Sequence, residues 1–181
     1  MFNDHCFKLR ILSLISAAAL SLQLMSAQPK SIGAMFSFTG TAFTYEHSMR
    51  DSGSFIECSL KAETTEYYLY RASKPGISAS ITWNTPFRQW QFDSNKVSLV
   101  AGYGITGGYC KDFKQSEGIF FGLKGRIGFE FESCRNIKIS TFLSPIIGAN
   151  IESGKEYLTM KSYANGIIYC LIPEFGIKYR F

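Results

Sequence analysis

The sequence predicts an all-β chain, an eight-stranded antiparallel up-and-down barrel, and three observations carry that prediction. Apolar and polar residues alternate with a period of two in run after run, which gives a strand two unlike faces. Aromatics reach 15% and glycines number 16, a mixture that suits pleated, half-apolar strands better than helices. The connections also alternate in length, short at 93–96 and 133–136, longer at 109–117 and 152–165. No later stretch reaches the roughly 18 consecutive apolar residues of a membrane-spanning helix.

The first 27 residues read as a processing segment. Lys8 and Arg10 precede an uncharged run of about 14 residues, Ile11 to Leu24, too short to cross a bilayer. Ser26 and Ala27 follow as small residues, although Met25 and Asp4 are unusual in such a leader. The expected organisation is a signal peptide over 1–27 and one barrel domain over 28–181. The leader's Lys8, Arg10 and Asp4 take one unit from the net charge of +5, leaving about +4. That excess is weak and scattered, which argues against nucleic acid as a partner.

Eight runs follow. Gly33 to Tyr45 reads as the first strand and Glu46 to Ser54 as a loop. Phe55 to Ala62 is the second, with Ile56, Cys58 and Leu60 opposite Glu57, Ser59 and Lys61. Tyr67 to Ala72 is the third, ending before a Lys74-Pro-Gly76 turn. The fourth starts at Ile77 and resumes through Trp90 and Phe92 after a bulge or break at Pro86, which lacks a ladder donor. Val97 to Gly108 is the fifth. In the sixth, Ile119, Phe121, Leu123, Ile127, Phe129 and Phe131 share a face opposite Lys124, Arg126, Glu130 and Glu132. Ile137 to Ile151 is the seventh, and a turn centred near Cys134 sets Glu130 opposite Lys138. The eighth is Gly166 to Phe181, with Phe181, Tyr179, Ile177, Phe175, Pro173, Leu171, Tyr169 and Ile167 on one face. Its other face holds Glu174, Lys178 and Arg180.

Which face is inside decides the class of protein. Nearly every strand carries Phe, Tyr, Ile or Leu on its apolar side, more than the narrow interior of an eight-stranded barrel holds. The apolar set therefore faces outward, to lipid, and the charged set fills the lumen: Glu57, Lys61, Lys124, Arg126, Glu130, Glu132, Lys138, Glu174, Lys178 and Arg180. The chain is then a transmembrane β-barrel, since only closed barrels and helices satisfy the backbone in lipid. A soluble, secreted, ligand-binding barrel is the opposite facing of the same strands.

The end of the chain adds a resemblance. A last strand closing on Phe181, with Tyr179 and Ile177 at the third and fifth positions from the end, resembles the assembly signal of bacterial outer-membrane barrels. In size and pattern the chain resembles the small eight-stranded barrels of the outer membrane protein A and X type. The resemblance implies the bacterial outer membrane as location and the barrel assembly machinery as the reader of Phe175, Ile177, Tyr179 and Phe181. It also implies outer-membrane lipid and lipopolysaccharide as surroundings, a monomer, and an extracellular or host ligand at loops 109–117 and 152–165.

Candidate chemistry is sparse. His47 is the only histidine beyond the leader, and Cys58, Cys110, Cys134 and Cys170 have no CxxC spacing. No metal, cofactor or catalytic residue is expected, and cysteine pairing stays open. Among outer-membrane barrels, the lipid A palmitoyltransferase and deacylase families use a His with a Ser. Here His47-Ser48, with Glu46 and Asp51 nearby, falls in the expected first external loop. Neighbours on an extended chain point apart, so a solvated histidine is the expectation and the enzyme an alternative. Gly102-Tyr-Gly104 lacks the lysine and helix of a phosphate loop. Arg50, Lys111, Lys114, Lys155 and Lys161, in the expected external loops, are either solvated or in contact with lipopolysaccharide phosphates. The expected role is non-catalytic, structural or surface-interacting, with a narrow passive channel as a further alternative.

Overall fold

The computed structural model describes residues 29–49, 53–93, 95–113, 117–133, 136–153 and 158–181. The expected leader, Arg50, Asp51, Lys114, Cys134 and Lys155 lie outside these residues. The elements are β1 (Lys30–Ser37), β2 (Gly40–Ser48), β3 (Phe55–Glu63), α1 (Thr65–Tyr68), β4 (Gly76–Phe92) and β5 (Asn95–Lys111). They continue with β6 (Glu117–Glu132), β7 (Ile137–Leu143), β8 (Ile146–Ser153), β9 (Leu158–Ser162), α2 (Asn165–Ile168) and β10 (Glu174–Arg180).

The ladder runs β5-β4-β3-β2-β1-β10-β7-β6 and closes by pairing β6 back to β5, a ring of eight antiparallel strands. β8 prolongs β7 beyond a break at Ser144-Pro145 and pairs with the first half of β6, while β9 adds to β8. Closure fixes the stagger. From Phe36 the pairing leads through Thr41, Ala62, Ile77 and Tyr109 to Ile119 on β6. In the other direction it leads through Phe175 and Thr141 to Phe129, ten residues further along the same strand. Such a shear tilts the strands by roughly 40° and leaves an interior just filled by side chains.

The eight strands are not the eight read from sequence. The run Gly33 to Tyr45 is a hairpin, β1 and β2, folded at Phe38-Thr39. Gly40 follows with φ 148°, in a region that side chains avoid. A Cβ there would also overlap the Ala62 carbonyl. Tyr67 to Ala72 is not a strand. Tyr68 and Leu69 donate to the Thr64 and Thr65 carbonyls at 2.9 and 3.0 Å, so one helical turn forms. Its Tyr-Tyr-Leu-Tyr run is apolar without alternating, so it lacks the two unlike faces that hold the other runs in the ladder. The last strand begins at Glu174, not Gly166. Ile168, Cys170 and Ile172 are as apolar as Ile167, Tyr169 and Leu171, and this two-faced apolar segment forms α2 and a turn. One strand lost and one gained keep the count at eight.

Elsewhere the alternation reads through to the ladder. β4 continues through its proline with a register shift between Pro86 and Arg88. Most apolar side chains of β3 to β8 and β10 point outward, among them Leu60, Ile81, Tyr103, Leu123, Ile147 and Ile177, while Phe55, Val100, Phe120 and Phe142 are buried. Charged and small polar ones point inward and are buried, including Thr44, Glu46, Asn84, Arg126 and Lys178. A closed barrel with an apolar exterior and a polar interior is the form in which strands cross an outer membrane. Lys30 and Phe181 meet through paired backbone bonds at the end where β4 passes into β5 and β6 into β7. β5 ends at Lys111 and β6 begins at Glu117 at the other end, where β8 also ends and β9 begins.

Candidate functional site in the barrel lumen

The lumen holds two layers of ion pairs. The first is built on β10. Lys178 is fully buried and its Nζ reaches Glu46 Oε2 at 3.0 Å, Glu57 Oε2 at 2.5 Å and Glu130 Oε1 at 3.6 Å. Arg126 donates to Glu57 Oε1 at 2.5 Å, and Lys138 pairs with Glu46 and, at 3.7 Å, with Glu130. Three carboxylates and three cations from β2, β3, β6, β7 and β10 thus lock into one neutral knot. Aromatic rings sit beneath the cations. The Arg126 guanidinium lies 3.8 Å from the Phe142 centroid, and Lys138 and Lys178 lie 5.5 Å from that of Phe55. Met35, Ala42 and Val100 complete a small apolar cluster around the two rings.

The second layer lies nearer the 112–116 end. Lys61 meets Glu63 at 3.3 Å and Glu174 at 3.9 Å, and Lys124 meets Glu174 at 3.7 Å. Ser144 and Ser78 hydroxyls donate to Glu174 and Glu63, both at 2.7 Å. At the opposite rim Arg180 pairs with Glu132, partly exposed. All ten lumen residues named from sequence therefore take part in an ion pair. Glu46 and Glu63 join them, outside the set that the sequence singles out. The sequence reading puts Glu46 in a loop, yet it continues the inward parity of Ala42 and Thr44, a signal the misplaced hairpin hides.

The expected opposition of Glu130 and Lys138 is displaced by two residues. Lys138 stands opposite Glu132, and Glu130 stands opposite Ser140. The turn is centred later than Cys134. Asn136 adopts φ 61° and Ser133 N–H donates to the Ile137 carbonyl at 2.8 Å. Lys138 then reaches Glu130 diagonally, as long side chains do across a ladder.

Above the second layer a cavity opens toward the 112–116 end, lined by Lys61, Glu63, Cys110, Tyr163 and Asn165 among others. Tyr163 stacks on Phe120 at 4.3 Å, and its hydroxyl lies 3.8 Å from Cys110 Sγ. Asp112 is buried and fastens the segment leading into α2. Its Oδ2 accepts from Ala164 N–H at 2.7 Å and its Oδ1 from Asn165 N–H at 2.7 Å and Phe113 N–H at 2.8 Å. Asn165 returns the contact, accepting from Phe113 N–H at 3.0 Å and donating to the Lys111 carbonyl at 3.0 Å.

His47 is not in an external loop. It lies on β2, 5% exposed, at the end where the termini meet. The neighbouring Glu46 points into the lumen and is committed to Lys138 and Lys178. The pairing of His47 with Glu46 as a base is thereby lost, and Asp51 lies outside the described residues. Cys58 is exposed on β3, Cys110 is buried and Cys170 lies in the turn after α2 rather than on a strand, and all three are unpaired. Of the basic loop residues, Lys111 donates to the Arg71 carbonyl and Lys161 pairs with Glu152 at 3.1 Å. β2 ends and β3 begins at the end opposite to the one expected for the loop between them.

No family model matches the chain, and no curated protein does. Three solved structures are similar in shape. A major outer membrane protein from Thermus thermophilus has 10% identity and a TM-score of 0.44, covering 86% of this chain and all of its own. The N-terminal β-barrel domain of Pseudomonas aeruginosa OprF has 10% identity and 0.44, covering 85% and 96%. Neisserial surface protein A has 14% identity and 0.39, covering 85% and 95%. On its own geometry the chain is a closed eight-stranded antiparallel barrel with an apolar outer face and a charged, ion-paired interior.

Proposed function

We propose that the protein is a non-catalytic integral barrel of the bacterial outer membrane, with a lumen closed by its own charges. Its role is mechanical: a rigid, lipid-embedded cylinder that turns the segments expected as external loops, 109–117 and 152–165, outward for surface contact. The observation that supports this reading is the knot of Glu46, Glu57 and Glu130 with Arg126, Lys138 and Lys178. Its members are buried and mutually paired, and an ion or solute would have to break them apart to pass. The barrel assembly machinery would read Phe175, Ile177, Tyr179 and Phe181, whose side chains all face outward and are free to be recognised before lipid covers them.

Two measurements test the proposal. Membrane-extracted protein should run on a gel at different positions before and after boiling, as a barrel that survives detergent does. In planar bilayers the folded protein should give no conductance steps. Stable steps would reverse the mechanical reading in favour of a narrow channel, and recovery of the mature chain as a soluble product would reverse the facing of every strand.

A further inference from the structure

We infer that α1 and α2 with their flanking turns form a lipid-contacting panel that completes the barrel wall in the outer leaflet, where β1 and β2 stop short. The inference rests on the membrane reading above. Its starting point is the stagger. Each step around the ring displaces the ladder by about 3 Å along the axis, the strand spacing resolved along the tilt. Phe36 therefore lies about 9 Å above Phe129 and about 15 Å below Ile119, inside an apolar band about 25 Å tall. The hairpin turn at Phe38-Thr39 thus ends β1 and β2 near mid-height, while β4, β5, β6 and β8 continue upward.

The two helical turns stand in that notch. α1 is seated on the hairpin turn, with Thr64 N–H donating to the Thr39 carbonyl at 2.9 Å and Thr65 Oγ1 to the Phe38 carbonyl at 3.1 Å. α2 is seated beside it, with the Tyr169 ring 5.8 Å from that of Phe38. Behind them lies the lumen cavity, with residues of both segments in its wall. Their outer surface exposes Tyr68, Leu69, Tyr70, Ile167, Ile168 and Leu171, with Tyr70 at 97% and Leu171 at 79%, and the polar residues Arg71, Ser73 and Lys74 are exposed only in the turn that follows α1.

Lipid is the occupant because this surface is continuous with the belt below it. Phe36, Phe38 and Phe175 are exposed at its lower edge, on the face that already meets acyl chains. The backbone at the notch also satisfies the condition for irregular chain at membrane depth. The turns of α1 and α2 are internally hydrogen-bonded, and a polar cavity backs them. The tyrosines of α1 would place their hydroxyls at the headgroup level, as interfacial aromatics do.

Tryptophan fluorescence in bilayers tests the panel. In a background of Trp83→Phe and Trp90→Phe, Leu69→Trp, Leu171→Trp and, as belt reference, Phe129→Trp are each reconstituted with lipids brominated on the acyl chain. All three sites are exposed, so the substitutions leave the packing of the lumen alone. The expected result is loss of emission at Leu69→Trp and Leu171→Trp comparable to the loss at Phe129→Trp, with weak quenching by aqueous acrylamide. Quenching by acrylamide alone at the panel, with the reference still quenched by bromolipid, would overturn the panel and leave the membrane reading standing. A reference that bromolipid fails to quench would overturn both. Panel emission shielded from both quenchers only at high protein-to-lipid ratio would assign the surface to a second copy of the chain instead.

Discussion

Lys178 shows how much one side chain holds. Three carboxylates face its ammonium, and removing it leaves Glu46 and Glu57 short of a cation in a buried site. Breaking a buried pair from one side costs about 3–5 kcal/mol. Lys178→Met should therefore destabilise the barrel refolded in detergent by that much, read from its urea unfolding curve. Arg180→Met, at the half-exposed rim, should cost about 1 kcal/mol or less on the same curve. Gly33 is tied to the same lysine. A Cβ there would overlap the Ile177 carbonyl and the Lys178 backbone. Gly33→Val should hinder the pairing of β1 with β10 and reduce the heat-resistant gel form. The partners of Lys178 are mostly legible in sequence, because inward parity and charge coincide at Glu57 and Glu130. Glu46 is not, because alternation says which face a residue takes but not where a strand folds back.

At the scale of elements, the turns are least legible and the long strands most. β6 alternates from Ile119 to Glu132 with Phe120 as the one large apolar residue on the inward side, so its facing follows directly. The β1–β2 fold-back depends on one backbone geometry at Gly40, which no periodicity reports. α2 depends on a distant residue: Asp112, fifty-two positions from Ala164, supplies the acceptors for the first turn. Asp112→Ala leaves those N–H groups unsatisfied, a loss of about 1–3 kcal/mol for a buried donor. Hydrogen exchange should quicken across 163–169 while β10 and β7 keep their protection, which separates local release of the helix from loss of the barrel. Protection lost equally everywhere would mean that Asp112 supports the whole ring.

The whole molecule poses a question of assembly rather than stability. Phe181 is bonded through its backbone to Lys30, at 2.9 and 3.2 Å, while its ring is largely exposed. Phe181→Ala should leave unfolding in detergent within about 0.5 kcal/mol of the parent, as surface substitutions do. If the last strand is the signal that the assembly machinery reads, the same variant should accumulate poorly in outer membranes. Normal membrane yield would remove the terminal aromatic from that role. Class and facing are readable because a membrane barrel writes its lipid boundary into every second residue, whereas the count of eight agrees only because the false strand at 67–72 offsets the hairpin hidden in 33–45. The notch above β1 is not, since it arises from the ten-residue stagger of a closed ring, a property of the sum of all pairings.

The neutral knot has a consequence for descent. Its six ionisable positions come from five strands, and each charge is answered by at least one other. A lineage can exchange Ile for Leu or Phe on the outer face one position at a time. Inside, a single change of sign strands a partner, so these sites are expected to drift as correlated sets. Among descendants of this chain, Glu46 and Glu57 should be replaced together with Lys178 far more often than alone.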